Sequence, residues 1–395
     1  MPSDLARHWD LDPHVAFLNH GSFGATPRAV LQQQAEFRAR MERQPVQFLG
    51  RDLRPLLRHA RVDLASFVGC EAEDVVFATN ATTGVNTVLR WLKLEPGDEL
   101  LTTNHAYGAC KNALDATAAW TGAKVVVASV PFPLESEQDI IAPILAAVTP
   151  RTKLAMLDHV TSPTALVFPV THLVNELAER GIETLVDGAH VPGMLNLDIA
   201  AVGPAWYAGN CHKWMCGPKG AGFLYVRRDL QASVHPLVVS HGATQPLDGV
   251  SRFQKEFEWA GTQDYSPWLC LPESLRTVGN MVPGGWEEVR QRNHALAVEA
   301  QAILCDGLGV PVPCPPEMLG SMAAIPMPAA TRGSPAYGWD REAWQQALIG
   351  RGYEVPVTEW PPQSGRWSVR VSCQLYNSRD QYERLVEVLQ EFLGL

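Results

Sequence analysis

Between Val62 and about Val238 short apolar runs alternate with longer stretches of helical period. The runs Val75 to Ala78, Glu99 to Thr102, Lys124 to Ala128, Lys153 to Asp158, Glu183 to Val186, Ala205 to Ala208 and Gly222 to Val226 have the length and composition of buried strands. A connecting stretch such as Val170 to Arg180 instead places Leu173, Val174, Leu177 and Ala178 on one face, the mark of a helix lying on a sheet. This alternation predicts an α/β fold with a mostly parallel seven-stranded sheet covered by helices. Ahead of it, Val15 to Gly24 reads as a short strand entering a glycine turn, and Thr26-Pro27 as the start of a helix reaching about Arg43. Beyond Ser266 the texture changes to one long helix, Gly285 to Leu308, a proline-rich link, short strands and a last helix, Ser378 to Leu393. The expected organisation is an N-terminal arm (1–25), a large domain (26–265) and a smaller C-terminal α+β domain (266–395).

A chain of 395 residues, 46% hydrophobic, can bury a sizeable core, and its formal net charge of -10 disfavours nucleic acid or an anionic membrane as partner. No apolar run approaches the roughly 18 residues of a membrane span, and the polar start is unlike a signal peptide. A soluble, cytoplasmic protein is the expectation. Eight cysteines are too sparse for a disulfide scaffold, and Cys211 and Cys216 lack the further ligands of a zinc site, so no metal is expected.

The chemistry concentrates where predicted strands end. In AWYAGNCHKWMCGPKGAGFLYVRR, Ala205 to Arg228, Lys213 sits on a glycine-laced turn between two strands. Its neighbours are mostly uncharged, and burial there would lower the pKa of the amine toward a nucleophile or base. Asp187 closes the strand of TLVDGAH, 26 residues earlier, the length of one connection between neighbouring strands, so both side chains can enter one crevice. Asn80 to Asn86, NATTGVN, is a hydroxyl-rich turn opening a helix whose free N–H groups make an anion site. A phosphate holder, a carboxylate for a pyridine nitrogen and an amine together suggest pyridoxal phosphate, PLP.

Seven ordered stretches, FLNHGSFG at 17–24, NATTGVN at 80–86, DHVTSPTALVFPV at 158–170, VDGAHVPG at 186–193, NCHKWMCGPKGAGFLYV at 210–226, WAGTQD at 259–264 and VRVSCQLYN at 369–377, carry a further reading. With them the chain resembles the class V aminotransferase family of fold-type I PLP enzymes, in particular its isopenicillin N epimerase-like branch. The resemblance implies that Lys213 takes the cofactor's aldehyde and moves protons at a substrate α carbon, and that Asp187 keeps the pyridine nitrogen protonated. It assigns Thr82, Thr83, Asn210 and His212 to the phosphate, and His190, with Ser162 or Thr161, to the ring's 3-oxygen. His105 is the expected aromatic over the ring face, with Tyr107 as the other contender for that place or as an acid or base toward substrate. Asn19, His20 and Ser22 of the arm and Arg370 become contacts for an amino-acid carboxylate, a task that suits a bidentate guanidinium. Thr262 resembles a residue that reaches the neighbouring subunit's phosphate, implying a homodimer with composite sites.

Among reactions, the resemblance favours an epimerase or racemase, with C–S lyase on a substituted cysteine and transaminase as alternatives. Epimerisation needs a second acid opposite Lys213, for which Tyr107 and His20 are the candidates. Desulfurases carry a nucleophilic cysteine shortly before the arginine, whereas Tyr353 to Val369 contains none.

Overall fold

The computed structural model describes residues 2–395. Twelve strands form three sheets: β1 (Ala16–Phe17), β2 (Val75–Ala78), β3 (Glu99–Thr103), β4 (Lys124–Ala128), β5 (Thr152–Asp158), β6 (Glu183–Gly188), β7 (Trp206–Asn210), β8 (Gly222–Val226), β9 (Met322–Pro326), β10 (Tyr353–Glu354), β11 (Val357–Glu359) and β12 (Trp367–Ser372). Seven of them make the main sheet in the order β2-β8-β7-β6-β5-β3-β4. Within it only β8 runs antiparallel to its neighbours, because the glycine-laced loop after Lys213 turns the chain straight back beside β7. The other pairs are parallel and connect through helices. The fold is therefore α/β, and all seven runs read from the hydrophobic pattern are strands, displaced by at most two residues at their ends.

Helix Ala81–Trp91 shows how such a layer is built. Asn80 caps it by accepting from the Thr83 N–H, and Ala81, Gly84, Val85, Val88 and Leu89 make its buried face. Gly84 lets the helix settle onto the sheet: a Cβ there would lie 2.9 Å from the Ala208 Cβ. The Ala81 N–H donates to Asn210 Oδ1 (2.8 Å), tying the helix start to the end of β7. An antiparallel sheet of β11, β12 and β9 brings Arg370, at the middle of β12, to the main sheet.

The N-terminal arm departs from expectation. Only Ala16 and Phe17 form a strand, paired with Tyr353 and Glu354, and His20 to Phe23 is a helical turn rather than extended chain. Thr26 does not cap the next helix: its hydroxyl donates to the Gly217 carbonyl (3.0 Å), and the helix begins at Arg28. These bonds press the arm against the loop that carries Lys213. The tightest approach is Gly24, at φ 72 and ψ 166, a backbone region essentially closed to residues with a Cβ. A Cβ there would stand 2.1 Å from the His212 carbonyl oxygen and 3.0 Å from the Lys213 Cα. Gly24→Ala is accordingly expected to destabilise the protein by at least about 2 kcal/mol and to loosen the Lys213 loop, seen as a lowered melting temperature together with weaker cofactor retention. A wild-type melting curve and cofactor content would show that the arm is not seated as described.

Candidate active site

Parallel strands β5, β6 and β7 end level with one another, with Asp158 opposite Asp187 and Asp187 opposite Ala208. The loops leaving these ends enclose a crevice of about 290 Å³ lined by, among others, Thr82, Tyr107, Asp158, Ser162, Asp187, Ala189, His190, Asn210, His212 and Lys213. Lys213 Nζ lies 3.2 Å from His190 Nε2. Burial first, then the positive charge of Arg370, brings the Lys213 amine down to about 7, with Asp187, Cys110 and Asp158 opposing the shift. His190 is held well below the ordinary histidine range by burial and by Lys213, so it is neutral.

The floor carries two carboxyl groups. Asp187 accepts from the Ala189 N–H (3.0 Å) and from the Cys110 thiol (3.1 Å). Asp158 accepts only from the Tyr107 N–H (3.2 Å), and its Oδ1 is buried without a partner. Both are pushed up by burial, Asp158 further than Asp187 because it also feels its neighbour's charge. Two unit charges about 5 Å apart, the spacing of adjacent strands, repel by about 3 kcal/mol at an effective dielectric of about 20. Asp158 was not among the residues expected to act. Its strand end was legible, but its place beside Asp187 depends on strand register, which hydrophobic pattern alone does not fix.

On the other side lies Arg370, 6% exposed. Its Nη1 donates to the Ser162 carbonyl (2.6 Å) and Oγ (3.0 Å), and its Nη2 to Ser22 Oγ (3.2 Å) and Asn19 Oδ1 (3.5 Å). Among the described residues no carboxylate pairs with it, and its buried Nε has no partner. Burial lowers this guanidinium to about 10, leaving it cationic at neutral pH. A buried cation held by neutral oxygens alone is suited to receive an anion from outside.

The structure divides the residues expected at the phosphate. Thr82 lines the crevice at the start of its helix, beside Asn210, whose Oδ1 is already engaged with Ala81. His212 lies on the rim with Nδ1 3.0 Å from the Ala221 carbonyl, which directs Nε2 elsewhere. Burial lowers His212 to about 4, so it would donate from both nitrogens only once a phosphate's charge held a proton on it. Thr83 does not point here. Its hydroxyl bonds Asn80 Oδ1 (3.0 Å) and Thr79 Oγ1 (2.8 Å) and faces a neighbouring apolar cavity.

Three further expectations are corrected. His105 is fully buried and does not line the crevice; Thr164 Oγ1 (2.7 Å) and the Val130 carbonyl (3.1 Å) occupy its two nitrogens, and its ring packs 4.3 Å from that of Trp360. Tyr107, 43% exposed, lines the crevice instead. His20 is also fully buried, accepting from Tyr376 Oη at Nδ1 (2.8 Å) and donating from Nε2 to the Lys213 carbonyl (2.9 Å). Burial drives it down to about 3, so it is a neutral strut behind the lysine, neither a substrate contact nor a proton donor. Thr161 is likewise tied to Thr164 and Leu166, leaving Ser162 to face the crevice. Thr262 is exposed and lies outside it.

The crevice suits PLP by its donor set: a buried amine with a lowered pKa, a carboxylate on the floor, a helix start with a threonine, and orphaned polar atoms on His190, Asp158 and Arg370. A lysine and an aspartate at strand ends of a mostly parallel seven-stranded sheet define a fold-type I PLP-dependent enzyme. The chain matches the family Aminotransferase class-V over residues 17–330. It is 36% identical to isopenicillin N epimerase of Amycolatopsis lactamdurans, covering 96% of both chains. It is 30% identical to a probable chloroplastic L-cysteine desulfhydrase of Arabidopsis thaliana, over 98% of this chain and 84% of that one. Its fold is similar to that of a C-DES mutant with glycine covalently linked to the PLP cofactor (TM-score 0.80, 21% identity, 98% and 99% covered). The chain belongs to the class V aminotransferase family.

Two outcomes are expected of this geometry. Because Lys213 must be neutral to attack an aldehyde, PLP capture by the cofactor-free protein should level off above about pH 7 and fall about tenfold per pH unit below it. Stopped-flow absorbance would contradict this if the rate still climbed steeply at about pH 9, as for an ordinary lysine. All eight cysteines are free, none lines the crevice, and Cys373, next to the arginine strand, is buried with its thiol raised to about 12. Mass spectrometry after incubation with cysteine should therefore find no protein-bound persulfide, and rapid accumulation of one would refute the assignment.

Proposed function

We propose that this enzyme abstracts the α proton of an amino acid and returns a proton to the opposite face, an epimerase or racemase. The observation that carries the reading is the unpaired Arg370, held by Asn19, Ser22 and Ser162, of which the two serines line the crevice of the Lys213 amine, and close enough for its charge to act on that amine. An α-amino acid brings a carboxylate for the first, and its α carbon is then presented to the second. PLP supplies the electron sink when bound. Lys213, its amine brought down to about 7, takes the α proton in its neutral form, and neutral His190 receives the hydrogen bond that orients its amine. Asp187 would hold the pyridine nitrogen, supplying it with a negative charge. Ser162 and His190 would hold the 3-oxygen, and Thr82, Asn210 and His212 the phosphate. Tyr107 lines the crevice, would cover the ring face, and is the remaining candidate for the second acid, since His20 is sealed behind the lysine. Similarity to an isopenicillin N epimerase over 96% of the chain supports the same outcome.

A second reading is β-elimination from a substituted cysteine. The loss of His20 as a proton donor favours it, because elimination can proceed with Lys213 as sole base, and similarity to an L-cysteine desulfhydrase supports it. We further propose a cytoplasmic homodimer in which Thr262 reaches the partner's phosphate; its exposure and that of nearby Leu237, Val238 and Val239 support this.

Incubation with amino-acid panels in deuterated water separates the outcomes. Epimerisation gives α-deuterium with inversion, and Tyr107→Phe should keep exchange while losing inversion at least about tenfold. Pyruvate without inversion would replace this reading by the lyase. A 2-oxo acid with the amino group left on the cofactor would indicate transamination. Absence of any α exchange would remove the role given to Lys213.

A further inference from the structure

One titratable group at the crevice is left idle by the assigned chemistry. Asp158 is 3% exposed, ends β5 directly opposite Asp187 on β6, and lines the same crevice as Lys213. Its hydrogen bonding is unlike that of its neighbour. Each Asp187 oxygen accepts a bond, from the Ala189 N–H and the Cys110 thiol, which suits an ionised carboxylate. Asp158 has one donor, the Tyr107 N–H on Oδ2, and an Oδ1 with none. A buried carboxylate oxygen without a donor is costly, whereas a carboxylic acid can place its own proton there.

The surroundings supply too little positive charge for two anions. The groups facing the pair are Lys213 after β7, neutral His190 after β6, the Cys110 thiol from helix Gly108–Thr121, and the Tyr207 hydroxyl on β7, occupied by His159. The Tyr107 side chain interacts electrostatically with Arg370, whose charge is directed to Ser162, Ser22 and Asn19. With PLP bound, Lys213 would no longer supply even a partial ammonium charge, and the pyridine nitrogen could neutralise only one of two adjacent carboxylates.

We propose that Asp158 and Asp187 share one proton, that Asp158 is the protonated member, and that its Oδ1–H is a hydrogen-bond donor into the crevice. Asp158 is then a positioning residue. It keeps the floor at a single negative charge and confines that charge to Asp187, so that the pyridine nitrogen meets one anion of fixed place. Two ionised carboxylates would also raise the Lys213 amine and delay its release as a base. This inference rests on the assignment of Asp187 to the ring nitrogen, but its test reads protonation and so is independent of which reaction follows.

Infrared spectra of the purified holoenzyme at about pH 8 provide that test, because ordinary carboxyl groups are ionised there and a buried acid retains its C=O stretch. The expected result is a carboxylic-acid band that shifts when aspartate is 13C-labelled and disappears in Asp158→Asn. Absence of an aspartate band in the wild type overturns the proposal and needs no variant to fold. A band that survives Asp158→Asn overturns the assignment of the proton. A second readout is the pH midpoint of the visible absorption of bound PLP. Replacing a neutral acid by neutral Asn should leave it within about 0.3 unit, whereas removing an ionised neighbour would lower it by about one unit or more.

Discussion

A lysine amine taken out of water is the constraint on which the rest of this molecule depends. Lys213 is 9% exposed, and burial with the facing Arg370 brings its pKa to about 7. At an unshielded site the same amine would be protonated and inert at neutral pH. Holding it there requires a wall that supplies hydrogen bonds without supplying charge. The arm provides one side of that wall, through His20 on the Lys213 carbonyl, Thr26 on Gly217 and the close pass of Gly24. The long separation in sequence between residues 20 and 213 is the reason the arm must fold onto the sheet before the lysine has its environment.

Charge is then distributed by strand ends. Parallel β5 and β6 bring two aspartates level on the floor, while β12, from another sheet, brings Arg370 to the far side. Opposite charges are kept apart by neutral partners: Ser162, Ser22 and Asn19 for the arginine, Ala189 and Cys110 for Asp187. The guanidinium consequently remains available to an anion from outside instead of collapsing onto an aspartate. Among the described residues no helix is long and apolar enough to cross a membrane.

Much of this architecture was legible in the sequence, and the reason is periodicity. Strands such as Lys124–Ala128 and Gly222–Val226 are short apolar runs bounded by polar or glycine-rich turns, and they occur where the pattern puts them. Helix Gly285–Leu308 was legible for the same reason. Side-chain direction was not. His105 and Tyr107 are two residues apart after the same strand, yet one is buried against Trp360 and the other lines the crevice. Thr82 and Thr83 are adjacent on a helix, about 100° apart around its axis, and face different cavities. A motif names both members of such a pair; only packing against remote residues selects between them. Asp158 was passed over because its significance comes from register with β6.

The account stands or falls on Lys213 as the residue that holds PLP. Borohydride reduction of the purified enzyme followed by peptide mass mapping tests this most directly. The account predicts a phosphopyridoxyl group on the peptide containing Lys213 and on no other. An unmodified Lys213 in protein that retains the cofactor, or the label on a different lysine, would contradict it.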